Sequence, residues 1–595
     1  MLFDKGKPQT YKPTTFPAPR KGWISNTLFT DSPKDAAEVL DNFFPTAQGA
    51  RLRGGTEKHA TIGTLVARMF TYATGGVEQL FASTATDIYE VTSPADPDVA
   101  ETPVVSGLST GDWAAQVFTT SGGDYIVCVN GADYMQRYDG SEWFPVTDET
   151  IYHQDYDALT AEFLIGETLT GGTSGATAEI HGITKTSATE GRLLLGAITG
   201  GPFQGNEALT SASGAADAVG PSGAGSTISI TGVNTNDLSH VWAFKNRLWF
   251  IEKNTVSAWY LGTNSVGGAA TEFPLRGVFN KGGNLVFGAN WSIDSGEGID
   301  DIIVFVSDRG EAAVYTGTDP ASDFALKGVY NTGKPLNKHT HLKAGGDLLM
   351  GCEEGIFPFS QFLNSDLSVA QAATVTFPIE DAWSVAVAGR SSPNPITMDL
   401  WSSNNMLLVG TPSLLNNENA VFVANARTGA WCRFTGWDVR CGAIYNDEYY
   451  FGDANGYIMK AETGGSDNGS EYVGVWVPKF QDMGGNNKVA NLARFRGRAQ
   501  ITYDVGIAAF SDFEVSTFSA PSNTTGNADN VWGTGLWGTM TWGGVGEKIY
   551  QSEWQSVRAF GSSLAPALRV SVNQSDKPDL DVIAMDFVYE DGAIL

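Results

Sequence analysis

Two glycine-framed motifs, six histidines, four cysteines and a few acidic clusters are the residues here whose types and spacing suggest chemistry. Gly107-Leu-Ser109-Thr-Gly111 fits the G-x-S-x-G elbow of serine hydrolases, which works only between a strand and a helix. Asp112-Trp-Ala-Ala-Gln-Val-Phe118 follows and reads as a strand of the hairpin series, so no hydrolase elbow is expected at Ser109. Gly533-Thr-Gly535-Leu-Trp-Gly538 fits the dinucleotide pattern but lacks a following helix to hold a pyrophosphate. Among His59, His153, His181, His240, His339 and His341 only the last two are close. Two residues apart on a strand, they share a face and make half a metal site; with no Cys or third His nearby, a surface or turn pair is expected. Residues 294–301 and 467–471 offer oxygen ligands for Ca²⁺ without the spacing of a dedicated loop, so they read as solvated turns. Nothing marks two of the 66 acids as a glycoside-cleaving pair. Cys128, Cys352, Cys432 and Cys441 contain no C-x-x-C and read as free, mostly buried thiols. The chain is read as a non-enzyme, with no catalytic residue, cofactor or metal.

The elements that must carry these residues are strands. Aromatics make up 11% of the chain, Gly contributes 70 residues of 595, and charged residues reach only 17%, a composition of glycine turns and β-forming strands. The length calls for several domains. A formal charge of −29 disfavours binding DNA through a basic patch. The first fifteen residues have no apolar core or cleavage site of a signal peptide, and no run of eighteen apolar residues predicts a membrane span.

A strand, a Gly/Asn/Asp turn and a second strand recur along the chain. Tyr125-Ile-Val-Cys-Val129, Asn130-Gly131 and Tyr134-Met-Gln-Arg-Tyr138 form one such hairpin; Arg247-Leu-Trp-Phe-Ile251 and Val256-Ser-Ala-Trp-Tyr260 form another. Hairpins start near 80, 125, 248, 302, 348, 407 and 449. Only the 123-residue interval after 125 breaks the spacing, and removing the 76 residues of segment 156–231 leaves 47. A period of roughly 40–50 residues is that of four-stranded propeller blades. The predicted fold is all-β: an irregular propeller of about six or seven blades over 61–155 and 232–464. Segment 156–231 is a duplicated insert, with Phe163-Leu-Ile-Gly-Glu167-Thr-Leu-Thr170 echoed by Phe203-Gln-Gly-Asn-Glu207-Ala-Leu-Thr210.

Both ends differ from the repeat. Pro8, Pro13, Pro17 and Pro19 predict an extended arm within residues 1–60, followed by a brief helix over 31–40 with Ser32 as N-cap. Residues 1–58 carry nine Lys/Arg against six Asp/Glu, which suits a docking arm that includes Arg20 and Lys21. Residues 465–595 alternate apolar and polar positions and read as a separate β-sandwich platform.

These ends carry a resemblance. Asn42-Phe-Phe-Pro45 leading into Arg51-Leu-Arg53-Gly54-Gly55 resembles the opening of tail nozzle proteins of short-tailed bacteriophages. Trp532-Gly, Trp537-Gly and Trp542-Gly, then Trp554-Gln-Ser-Val557 and a final Asp586-Phe-Val-Tyr-Glu590-Asp-Gly592, are similar to the closing domain of podovirus tail proteins. The resemblance implies a structural virion protein, assembled in the host bacterial cytoplasm. It would form a ring of typically six subunits under a tail adaptor, beside tail fibres or tailspikes, with an acidic channel for double-stranded DNA. It places Arg20, Lys21, Arg51, Arg53, Lys488, Arg494, Arg496, Arg498, Trp532, Trp537 and Trp542 at subunit or adaptor contacts. Two other functions fit a propeller: carbohydrate binding or glycan cleavage, and a monomeric scaffold for protein partners.

Overall fold

Each predicted hairpin is the second and third strand of an antiparallel meander. The computed structural model describes residues 11–26, 33–294, 299–364, 374–390, 395–411, 420–484, 487–524 and 548–591. The strands Gly123–Val129 and Met135–Tyr138, for example, follow Ala114–Thr120 and precede Trp143–Val146 in a four-stranded sheet. The first two strands of several meanders meet at turns whose two central residues both have positive φ: Gly75-Gly76, Lys245-Asn246 and Asn446-Asp447. Such turns match the right-handed twist of the strands they join.

Six meanders are blades with sheets of their own, and a seventh, from Thr397–Trp401 to Trp431–Thr435, is part of a larger sheet. Their first strands, Arg68–Thr74, Ala114–Thr120, Leu238–Phe244, Leu285–Asp294, His341–Ala344, Thr397–Trp401 and Cys441–Tyr445, all face one central cavity. The ring closes by exchange: Thr56–Thr61 supplies the fourth strand of the blade formed by Cys441–Tyr445, Glu448–Gly452 and Tyr457–Ala461. Aromatic side chains lock neighbouring blades, as where Phe81 of one blade meets Tyr138 and Trp143 of the next.

The insert is a closed six-stranded barrel that begins slightly earlier than expected, with Ile151–Ala161. That long strand pairs with Gly191–Leu195 through its first half and with Ala215–Ala218 through its second, which closes the sheet. The duplication has a reciprocal physical role. Glu207 of the second copy accepts hydrogen bonds from the Thr173 and Ser174 backbone N–H and the Ser174 hydroxyl of the first. Glu167 of the first copy accepts from the Ser213 N–H and from the Ser211 and Ser213 hydroxyls of the second. Each copy's carboxylate therefore closes the other's Ser-Gly-Ala turn. Burial opposes ionisation of Glu207, but the hydrogen bonds from Ser174, Gln204 and Thr173 outweigh it and hold its carboxyl below the ordinary value.

The ends depart from expectation. Residues 37–41 are a strand, Ala37–Asp41, where a helix was predicted. It lies between Tyr472–Pro478, antiparallel, and Trp431–Thr435, parallel, with Ala37 and Leu40 fully buried. Pairing on both edges overrides the local helix signal; the expected cap, Ser32, lies outside the described residues. The proline-rich segment is not a free arm from residue 12 onward. Lys12–Pro17 pairs along its whole length with Asp581–Asp591, and Phe16 is buried against Phe587. The platform is consequently not a separate C-terminal unit. It is two facing sheets built from both chain ends, and one of them runs through Ala37–Asp41 into the seventh meander.

Replacing Glu207 by Ala strips the part-buried N–H groups of Thr173, Ser174 and Gln204 of their charged acceptor, so we expect the Thr173–Ser174 turn to lose amide-exchange protection by about 1–3 kcal/mol. The blades should keep theirs; unchanged protection at Thr173 and Ser174 would refute the reciprocal closure.

Candidate functional site: the terminal platform and the propeller axis

The segment that carries the N-terminal resemblance folds around one buried cation. Arg53 is fully enclosed. Its Nε donates to Asn42 Oδ1 at 2.8 Å, and Nη1 donates to the Gly54 carbonyl and Asp467 Oδ1, both at 2.8 Å. Nη2 donates to the Thr435 carbonyl at 3.0 Å and Asp467 Oδ2 at 2.6 Å, so all five N–H bonds are used. The guanidinium lies over the Tyr472 ring at 4.2 Å and the Trp437 ring at 5.0 Å. Asn42 adopts φ 61°, and its amide donates to Thr435 Oγ1 and the Val473 carbonyl. Glycine is required at residue 55, where a Cβ would sit 1.9 Å from the Ser466 carbonyl oxygen.

Arg53 is thus a structural residue and not a contact to a partner. Asp467, expected in a solvated turn, is its counter-ion. Arg51 donates to Glu462 at 2.9 Å, and Lys577 reaches the same carboxylate at 2.7 Å. Burial resists charge on Glu462, yet Arg51 and Lys577 bring its pKa down to about 2.

The second cationic group, Lys488, Arg494, Arg496 and Arg498, lies on the strand Lys488–Ala499. Its antiparallel partner, Asp581–Asp591, sets an acid against each cation. Lys488 pairs with Asp591 at 2.7 Å, and Arg494 and Arg496 pair with Asp586 at 2.8 and 2.9 Å. Arg498 pairs with Asp581 at 2.8 Å. Lys488 is buried; the three arginines are half-exposed, and Arg494 also covers the Trp554 ring at 4.6 Å. These cations therefore first neutralise their own sheet. Arg20 and Lys21 are exposed, with Arg20 3.2 Å from Asp35. Trp532, Trp537 and Trp542 lie outside the described residues.

The propeller axis is the second concentration of polar groups, and it holds the histidine pair. His339 and His341 are not a surface pair. His339 Nε2 meets Asp112 Oδ1 at 2.7 Å, and His341 stacks on Phe287 at 4.2 Å with planes 2° apart. Asp112 is also approached by Lys338 at 3.2 Å and Arg68 at 3.4 Å. Burial favours neutral Asp112, but the His339 hydrogen bond and the Lys338 and Arg68 charges hold its carboxyl well below the carboxylate range. Burial first, then the Arg68 charge, keeps His339 neutral, so it donates its Nε2–H to that carboxylate. Burial likewise brings His341 down to about 4. His240 Nε2 bonds the Gly288 carbonyl at 3.0 Å.

Among the described residues no group of three or more His, Cys, Asp or Glu is placed to hold a metal ion. Ser109 stands in an exposed loop before the strand Ala114–Thr120, with its N–H donated to Asp133 at 2.9 Å. Gly533–Gly538 falls outside the described residues. The four cysteines are free and buried. No helix among the described residues is long and apolar enough to cross a membrane. Sequence reasoning missed Arg68, Asp112 and Lys338 as a group, because only the ring brings residues so distant in the chain to one axis.

No family model and no curated protein matches the chain. Among solved structures it is similar to the computationally designed Ika8 protein, 9% identical over 68% of this chain and 99% of that one, with a TM-score of 0.30. YCF48 from Cyanidioschyzon merolae is 10% identical over 69% and 98% of the two chains, with a TM-score of 0.26. The WD40 repeats of RRP9 are 8% identical over 69% and 98%, with a TM-score of 0.33.

Two outcomes test the platform. Arg53→Met leaves Asp467 without its buried partner and should cost about 3–5 kcal/mol in urea unfolding. The double variant with Asp467→Leu should recover part of that loss; equal losses would refute the ion pair as the node. Glu462 ionises in the folded state well below its ordinary value of 4.5, so its contribution is present above pH 4.5 and is lost as pH falls towards about 2. Glu462→Gln should flatten the acid limb of the stability curve over that interval, and an unchanged slope would contradict the assignment.

Proposed function

We propose that this protein is the tail nozzle subunit of a short-tailed bacteriophage, a structural component of the virion that assembles as a six-fold ring. The observation that carries this reading is the meeting of the two chain ends. The described parts of the segments that bear the resemblance, 36–55 and 554–591, are the N- and C-terminal parts of one platform, knit by Lys12–Pro17 against Asp581–Asp591 and by Ala50–Leu52 against the same strand. A segment pairing of this kind gives the two resemblances one structural context, a rigid base from which a propeller projects.

Charge supports the same reading. Arg51, Arg53, Lys488, Arg494, Arg496 and Arg498 are matched by Glu462, Asp467, Asp591, Asp586 and Asp581 within the chain, so the net −29 is not offset by a cationic platform face. Six copies would carry −174. A passage lined by such subunits repels the phosphate backbone and lets duplex DNA slide without binding. The adaptor contact is assigned to the exposed Arg20 and Lys21, and the barrel is left to project beside the blades.

Negative-stain electron microscopy of the purified protein should show six-fold rings with a central hole. A compact monomer that degrades or retains a glycan would replace this reading with the carbohydrate-active one.

A further inference from the structure

The axial cavity, about 480 Å³, offers more hydrogen-bond donors than the chain satisfies. Arg68 is only 7% exposed, yet Nε alone has a partner among the described residues, the 3.4 Å contact with Asp112. Its two Nη groups, with four N–H bonds, remain for the cavity. Trp113 and Trp242 also line the cavity, with their indole N–H groups enclosed inside the wall. Lys343 adds a further positive charge at the wall.

The acids nearby do not cancel this set. Asp112 is shared by Arg68 Nε, Lys338 and His339, and Asp399 takes the Tyr449 hydroxyl at 3.0 Å, so three cations, Arg68, Lys338 and Lys343, face two acids. His240 Nδ1 and the Thr397 hydroxyl, near the same space, are enclosed in the wall and present no surface to it. The Arg68 Nη groups, beside Lys338 and Lys343 in the lining, therefore give the cavity cationic donors for a guest that brings oxygen acceptors. Guanidinium N–H groups call for an oxyanion. The volume falls within the roughly 300–1,000 Å³ of small-molecule sites.

We propose that the propeller axis binds a small oxyanion, a carboxylate or a phosphate ester, with Arg68 as its anion anchor. The site is independent of ring assembly, so it can stand or fall without the nozzle reading.

The test is tryptophan fluorescence and thermal-shift titration of the full chain with galacturonate and, separately, glucose 6-phosphate, at constant ionic strength and with neutral glucose as control. At least one anion should give a saturable response and a melting temperature that rises with its logarithm; which one responds identifies carboxylate or phosphate. Arg68→Gln should weaken binding at least tenfold, and Lys343→Gln, at an exposed position where folding is not at risk, should weaken it severalfold. The proposal is overturned if neither anion saturates, if glucose binds as well, or if Lys343→Gln and a folded Arg68→Gln bind as tightly as the unaltered chain.

Discussion

The buried ion pair of Arg53 and Asp467 is the constraint on which the rest of the molecule depends. A guanidinium taken out of water is costly unless every N–H is matched, and here Asn42, Gly54, Thr435 and Asp467 match all five. Those partners come from the N-terminal segment, the seventh meander and the loop that enters the C-terminal sheets. Such an arrangement contributes uniqueness more than stability. An apolar core would tolerate a shifted register between these segments, whereas a planar fork with five fixed partners accepts one.

Register at this node propagates. Gly54 and Gly55 follow Arg53 directly, pass close to the backbone of Glu462 and Ser466, and deliver the chain into Thr56–Thr61. That strand completes the last blade, pairing Thr56 with Ala461 and Thr61 with Tyr457. Because strand pairing has a period of two, a slip of one residue would turn every side chain to the opposite face. Ring closure, and with it the spacing of the seven inner strands around the axis, is thus fixed by the same few atoms that seat the platform. The oxyanion site proposed at the axis inherits its geometry from there.

The seven hairpins were legible because their information is local. Asn130-Gly131 or Asp308-Arg309-Gly310 states its turn within a few residues. The barrel was legible as a duplication, though not the crossing of Glu167 and Glu207, since symmetry in sequence does not say which copy an acid serves. The terminal platform was the least legible part. Lys12–Pro17 finds its partner more than 560 residues away, and Ala37–Asp41 takes both neighbours from beyond residue 430. The prolines there argued for an extended segment, which Lys12–Pro17 is, without revealing its partner, whereas the Ser-Pro step argued for a helix that long-range pairing overruled. Arg53 and Asp467 were each noticed and each misplaced, one as a contact and one as a solvated turn.

Charge is arranged in two opposing layers, and this separates the two functions proposed above. The surplus of 29 acids acts outward, where water and salt soften it to a general repulsion of polyanions. Arg68, Lys338 and Lys343 act inward, at an axis walled by strands and aromatic rings, where screening is weaker and direction matters. A polymeric phosphate is too wide to enter a cavity of about 480 Å³, and a small anion is too weakly repelled to be kept from it. The proposed passage of DNA along the surface and the proposed binding of a small acid at the propeller centre are therefore compatible in one chain.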